Sequence, residues 1–406
     1  MVAGFQFIQT LPELKSITKQ LDGEEILAVD VEADSLYHYL PKVCLVQIST
    51  NQHTFVIDTL AVQKMDPLRP LFASHKIKKV FHGADYDIRS LFRDYAIRVN
   101  HVFDTMIASQ FLGEKEVDLA AILKKRFGVI LNKKYQRANW SKRPLSHEML
   151  FYAAHDTAYL LRLYRELERE LKSKGRLGWV EEECNRLSIE CTLGGKVRLS
   201  CVPAKGQNHC SSPDHPMSTR TEPENTPLFK RFKGAGKMAP RDLAILENLL
   251  LFRERRAVQQ DRPPFKVFGN HVIKELVTTK PTDYVALREI PGLPADFMKR
   301  YARGALKAIQ RGLALPADRL PSFAKAKRPP QNPKKQARLK RLKAWRELKA
   351  SQLEIQPGLV CNNALLDTLA EANPKDVDGL KAIAGMKTWQ RDSFGQELVN
   401  VLHGRL

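Results

Sequence analysis

Five residues in three separate segments carry the side chains that hydrolysis of a phosphodiester would need. They are Asp30 and Glu32 in ILAVDVEADS, Asp87 in VFHGADYDIRSL, and Tyr152 with Asp156 in FYAAHDTAYLL. Two divalent cations held roughly 3.5 to 4 Å apart require several anionic oxygens converging on one spot, which distant segments of one sheet can supply. Mg²⁺ or Mn²⁺ suits a site made of carboxylates and water, whereas Zn²⁺ would favour His or Cys ligands.

The elements that must position these groups follow from local pattern. ILAVDVE is a short apolar, β-branched run that reads as a buried strand, so the i and i+2 side chains Asp30 and Glu32 share a face. KKVFHG reads as a second strand ending at glycine, and Ile88, Leu91, Phe92 and Tyr95 mark one face of the helix that follows. Asp87 falls in the first turn of that helix. Asp85 competes with it for the same role, one of the two being able to cap the helix instead. HEMLFYAAHDTAYLLRLYRELERELK reads as one long helix whose i, i+4 spacing stacks Tyr152 over Asp156. A phenol one turn from a metal-binding carboxylate can hold an attacking water.

In this order and setting the segments resemble the three motifs of the DEDD exonuclease superfamily. The tyrosine four residues before the last aspartate marks the DEDDy branch; the histidine branch has its histidine where this chain has Phe151, and His155 fits neither slot. HGADYDIRSLF, YQRANWSKRPLSHEMLFYAAHD and VCLVQIST resemble ribonuclease D and its exosome-associated relatives over residues 5 to 190. The resemblance implies an α/β, ribonuclease H-like fold with a mixed sheet flanked by helices. It also implies roles: Asp30 bridges both metals, Glu32 and Asp156 complete the site that activates water, Asp87 holds the second metal, and Tyr152 orients the nucleophile. It selects Asp87 over Asp85. Trp140 and Arg143 match a family segment near the active site, as substrate-binding or structural contacts.

Charge is divided unevenly over the 406 residues, whose formal net charge is +21. Through residue 190, 27 Lys and Arg face 25 Asp and Glu; beyond it, 39 face 20. A basic second half suits capture of a polyanion, with an affinity that falls steeply with salt. The second half also repeats itself. An offset of 93 maps Arg253, Pro264, Asn270, Asp283 and Gly292 onto Arg346, Pro357, Asn363, Asp376 and Gly385 without a gap, which indicates two copies of one small all-α domain. Their IPGL and IAGM turns either bind phosphate or simply join helices. Both copies resemble the HRDC domain of ribonuclease D and RecQ-type helicases, the second copy being the more divergent.

The expected organisation is a DEDDy exonuclease domain at 1–190, a linker at 191–235, a first HRDC domain at 236–315, a basic Pro-rich linker at 316–335, and a second HRDC domain at 336–406. Truncation after residue 235 is expected to spare chemistry on short oligomers but to weaken binding to structured RNA. The loose cluster of Cys184, Cys191, Cys201 and Cys210 with His209 and His215 lacks CxxC spacing and reads as reduced thiols more than as a zinc site. The start of the chain shows no secretory signal, and no apolar run approaches a membrane span. Six cysteines fit a reducing cytoplasm.

Together these readings lead to a metal-dependent 3′-5′ exoribonuclease of the cytoplasm. It would act as a monomer with no obligate protein partner, on RNA with an accessible 3′ end such as precursor tRNA. The competing expectations are a DNA exonuclease of the same chemistry, told apart by need for a 2′-hydroxyl, and an inactive RNA-binding scaffold.

Overall fold

Among the described residues, six strands build one mixed sheet: β1 (Phe5–Ile8), β2 (Ile26–Ala33), β3 (Val43–Ser49), β4 (Thr54–Asp58), β5 (Lys78–Phe81) and β6 (Val102–Asp104), in the spatial order β1-β4-β3-β2-β5-β6. β2, β3 and β4 run as an antiparallel meander; β1 joins β4, β5 joins β2 and β6 joins β5 in parallel. The residues explain the layering. Every residue of β3 and β4 is buried, as befits a run of Val, Leu, Ile and Phe covered on both faces. β2 is buried from Leu27 to Val29 and then alternates, with Val31 inside and Asp30 and Glu32 only partly covered.

The structure, a computed structural model, describes residues 4–193, 226–323 and 332–405. These form two compact units. One contains 4–33, 43–193 and 332–405; the other contains 34–42 and 226–323. In the first, the helix His147–Ala158 packs across β2, β3 and β4, burying Leu150, Ala153 and Ala154 with Cys44, Leu45, Val56 and Trp140. The long helix expected over this region breaks at Tyr159, and a second helix, Leu160–Ser173, crosses β2 and β5. Thr157 is fully buried and its hydroxyl bonds Ser49 Oγ at 2.7 Å, fixing the end of the first helix to the sheet.

The second repeat belongs to this same unit. Its helices Pro333–Leu353, Asn363–Ala372 and Thr388–His403 share one continuous apolar core with the sheet domain.

In the other unit the helix Pro240–Gln259 packs along Ala302–Leu313. Close approach requires glycine at the crossing: a Cβ on Gly312 would lie 2.6 Å from Ile245 Cα. The segment 34–42 folds onto this repeat. Tyr39 donates from its hydroxyl to Glu254 at 2.7 Å and from its amide to Asp261 at 3.1 Å, and Lys266 Nζ lies 4.0 Å from the Tyr37 ring centre.

The offset of 93 recurs in the bonding of the two repeats. Arg253 donates to Asn270 Oδ1 at 2.7 Å and to the Phe268 carbonyl; Arg346 donates to Asn363 Oδ1 at 2.8 Å and to the Cys361 carbonyl. Gly292 and Gly385 take φ of 77° and 82° in the IPGL and IAGM turns, a left-handed conformation glycine adopts readily. No described helix is long and apolar enough to cross a membrane.

Candidate active site

Asp30 and Glu32 reach one face because they are two residues apart on β2. A register irregularity directly after Glu32 ends the regular pairing with β3 there. The helix His147–Ala158 brings Asp156 over them, and ligand oxygens of Asp30, Glu32 and Asp156 lie within 4.8 Å of one another. All three keep some surface in the cleft, yet protein surrounds them on most sides. Burial pushes the Asp30 carboxyl up to about 7. Glu32 is raised well above the usual range by burial and then by the charges of Asp30, Asp156 and Asp87; Asp156 is raised by burial and then by Asp30.

Asp87 lies outside this triad but within its field. It is nearly buried in the first turn of the helix Asp85–Tyr95, and its carboxyl is raised well above the usual range by burial, then by Asp30, Asp104 and Asp85. Asp85 has a separate partner: it receives Arg89 Nε at 3.0 Å and Nη2 at 2.8 Å on the helix surface.

Neither aspartate caps the helix by a side-chain bond. The turn that launches it is held by Asp104, which sequence reading missed. The Asp104 carboxylate accepts Gly83 N at 2.9 Å and Ala84 N at 2.8 Å, and also Met106 N at 2.8 Å in its own helix turn. Charged bonds to buried amides contribute roughly 1.5–3 kcal/mol each. Asp104→Ala is therefore expected to cost about 3 kcal/mol of stability, and Asp104→Asn, which keeps one acceptor, clearly less. Urea unfolding midpoints check this, and equal midpoints for Ala and wild type would contradict it.

Tyr152 stands beside the triad, its ring 5.9 Å from Tyr135 in an edge contact and 6.0 Å from Trp140. Burial, then the charges of Asp156, Glu32 and Asp30, hold its phenol far above the ordinary range, so it stays protonated. Trp140 is 1% exposed and supports Tyr152 from within the core. Arg143 is engaged with the buried Asp58, Nε to Oδ2 and Nη2 to Oδ1 both at 2.7 Å, and donates to the Trp140 carbonyl at 2.6 Å. Trp140 is thus packed within the protein, and Arg143 is engaged with protein partners. Tyr135 and His82 were not singled out by sequence. Tyr135 is positioned by a loop, and His82 Nδ1 contacts Thr105 Oγ1 at 2.9 Å.

The triad opens on a cleft of about 410 Å³, also lined by His82, Asp118, Lys133, Gln136 and Tyr152. The charges that raise Glu32 and Asp156 are those of neighbouring carboxylates. A hard divalent cation fits such an all-oxygen donor set. Among the described residues this is the one group of His, Cys, Asp and Glu with metal-binding spacing. Cys184 and Cys191 are buried on the helix Leu177–Leu193, while Cys201, Cys210, His209 and His215 lie outside the described residues.

Comparison with known proteins agrees with this geometry. A 3′-5′ exonuclease family model matches residues 5–172, and the HRDC domain matches 242–309 and 335–402. The chain is 26% identical over 402 residues to ribonuclease D of Nitrobacter hamburgensis, covering 98% of this chain and 95% of that one. It is 27% identical to ribonuclease D of Bartonella henselae, covering 99% and 91%. Protein RRP6-like 3 of Arabidopsis thaliana is 42% identical over 173 residues, 42% of this chain and 19% of that one. Among solved structures, Escherichia coli RNase D shares the fold with TM-score 0.66 at 20% identity, over 99% of both chains. The catalytic core of RRP6 from Trypanosoma brucei matches with TM-score 0.61 at 28% identity, over 77% of this chain and 81% of that one. With an exonuclease domain followed by two HRDC domains and a match to ribonuclease D along nearly its whole length, the chain belongs to the ribonuclease D family of 3′-5′ exonucleases.

Proposed function

We propose that the protein shortens RNA from the 3′ end, releasing 5′-mononucleotides, and that its substrates are 3′ trailers of precursor tRNA or other small structured RNAs. The observation that carries the reading is the convergence of Asp30, Glu32 and Asp156 beside a protonated Tyr152. The near full-length likeness to ribonuclease D proteins supports RNA over DNA, and the excess of Lys and Arg beyond residue 190 suits a polyanion.

Asp30, Glu32 and Asp156, with Asp87 alongside, would hold two Mg²⁺ or Mn²⁺ ions. Bound there, the cations supply positive charge that offsets what builds on the scissile phosphate and its leaving 3′-oxygen. Tyr152 keeps its proton, so it serves as a hydrogen-bonding group that orients the attacking water and not as a base. Tyr135 and Trp140 fix the ring that does so. Arg143, tied to Asp58, keeps the Trp140 loop in place.

The test is a time course on matched 3′-tailed RNA and DNA oligomers with Mg²⁺, Mn²⁺ or EDTA, beside a tRNA carrying a 3′ trailer. Stepwise, metal-dependent shortening of RNA and of the trailer is expected. Equal or faster loss of DNA would contradict the RNA reading, and trailers left intact would contradict the tRNA role.

A further inference from the structure

The outer shoulder of the helix that carries Asp156 bears a run of rings that the chemistry does not use. His147, Phe151 and His155 recur every four residues, so they line one stripe of the helix. Phe5 extends the run at its far end. The successive centroid separations are 5.9 Å for Phe5 to His147, 6.5 Å for His147 to Phe151 and 3.9 Å for Phe151 to His155. Phe151 is 48% exposed and His147 is exposed too, so these rings are not packing for the core, whereas Phe5 packs partly against it. The His155 ring is fixed by a 2.8 Å contact between Nδ1 and the Phe151 carbonyl.

The stripe is joined to the catalytic cleft. A groove of about 590 Å³ runs along it past Phe151, His155 and Tyr135, and shares Tyr152 and Asp156 with the cleft of the triad. Lys134 lies in the same groove, its Nζ 5.1 Å from the Tyr135 ring centre. A chain leaving the triad can therefore pass along this groove onto the rings of Phe151 and His155. Every base has a π-face, so a row of exposed rings beside a basic side chain suits single-stranded nucleic acid whatever its sequence.

We propose that His147, Phe151 and His155 form a stacking platform for the bases immediately 5′ of the nucleotide being removed, with Phe151 as its principal ring. The platform rests on the exoribonuclease reading above. It holds the tail in line with the triad and gives the enzyme a preference for unpaired 3′ tails long enough to reach it.

The full-length protein, its Phe151→Ala variant and its Phe151→Trp variant should be compared on single-stranded RNA hexamers, intact or abasic at the second or third position from the 3′ end. Stacking of one base on one ring corresponds to about a tenfold effect. For the wild type, an abasic site should raise KM by about that factor. Phe151→Ala should raise KM on the intact hexamer similarly and lose the sensitivity to abasic sites, and Phe151→Trp should restore both. Thermal melting of the variants verifies folding.

An abasic penalty of the same size in wild type and Phe151→Ala would overturn the platform. So would a dimer seen by light scattering that Phe151→Ala converts to monomer, because the stripe would then be covered by a second copy. Wild-type protein that shortens no oligomer at all would sink the proposed function instead, which keeps the two failures distinct.

Discussion

Asp156→Asn is expected to reduce nucleotide release by roughly a thousandfold or more, and at the same time to raise the melting temperature of the protein held in EDTA. The two effects have one cause. Ligand oxygens of Asp30, Glu32 and Asp156 crowd within 4.8 Å of one another, and neighbouring carboxylates raise the pKa of Glu32 and Asp156. That arrangement costs stability in the metal-free state and creates the demand for cations. Removing one charge lowers the cost, but it also removes several kcal/mol of transition-state stabilisation, at about 1.4 kcal/mol per factor of ten. Asparagine is nearly isosteric with aspartate, so packing is retained.

The same cluster sets a pH dependence whose sign is determined. Burial pushes Asp30 up to about 7, and Glu32, Asp87 and Asp156 are raised as well. A carboxyl whose pKa is higher folded than unfolded binds its proton more tightly in the native state. Stability is therefore lost as pH rises from the ordinary carboxylate range near 4 through about 7, by about 1.4 kcal/mol per pH unit for each proton involved. Metal-free protein should melt at lower temperature at pH 8 than at pH 5. Mg²⁺ should flatten the profile by binding the native state alone, and Asp156→Asn should flatten it without metal. A metal-free profile that rises over this window in the wild type would contradict the account. An active Asp156→Asn enzyme would remove the aspartate from the site.

How much of this was legible in sequence depended on whether a feature is local. The strand ILAVDVE shows in its apolar, β-branched run, and a period of two then puts Asp30 and Glu32 on one face. The pairing of Tyr152 with Asp156 shows in a period of 3.6. The repeat shows in a fixed offset of 93, which returns atom for atom in the Arg253–Asn270 and Arg346–Asn363 bonds. By contrast, the break at Tyr159 has no Pro or Gly to announce it; it coincides with Thr157 bonded to Ser49, more than a hundred residues away in sequence. Asp104 holds the turn before Asp87 from another strand, and Tyr135 reaches Tyr152 from a loop. Only the folded chain brings those partners together.

The unit to which the second repeat belongs was the least legible feature, and it leads to the other large prediction. From sequence, truncation after residue 235 is expected to spare chemistry on short oligomers and to weaken only the binding of structured RNA, because the repeats read as separate domains. In the structure Trp389 of the second repeat is 5% exposed, stacks on Trp179 at 4.7 Å and meets Phe111 edge-on at 5.6 Å. Glu182 accepts the Thr388 and Trp389 amides, both at 2.8 Å, so a carboxylate of one domain caps a helix of the other. Glu183 receives Trp389 Nε1 at 2.8 Å and Lys387 Nζ at 2.5 Å, and Arg176 donates to the Leu353 carbonyl at 2.9 Å. At the same offset the first repeat has Asp296, an exposed acid, in place of this tryptophan. The two copies thus differ at the position that would have to dock. Emptying a buried tryptophan site costs about 3–5 kcal/mol, which for a unit of this size is on the order of 10 °C in melting temperature. Trp389→Ala should show that loss. Chains ending at 235 or 323 should expose Phe111 and Trp179 and either aggregate or melt far below the full-length protein. A soluble 1–323 fragment with the full-length melting temperature would show that the second repeat lends the exonuclease domain nothing.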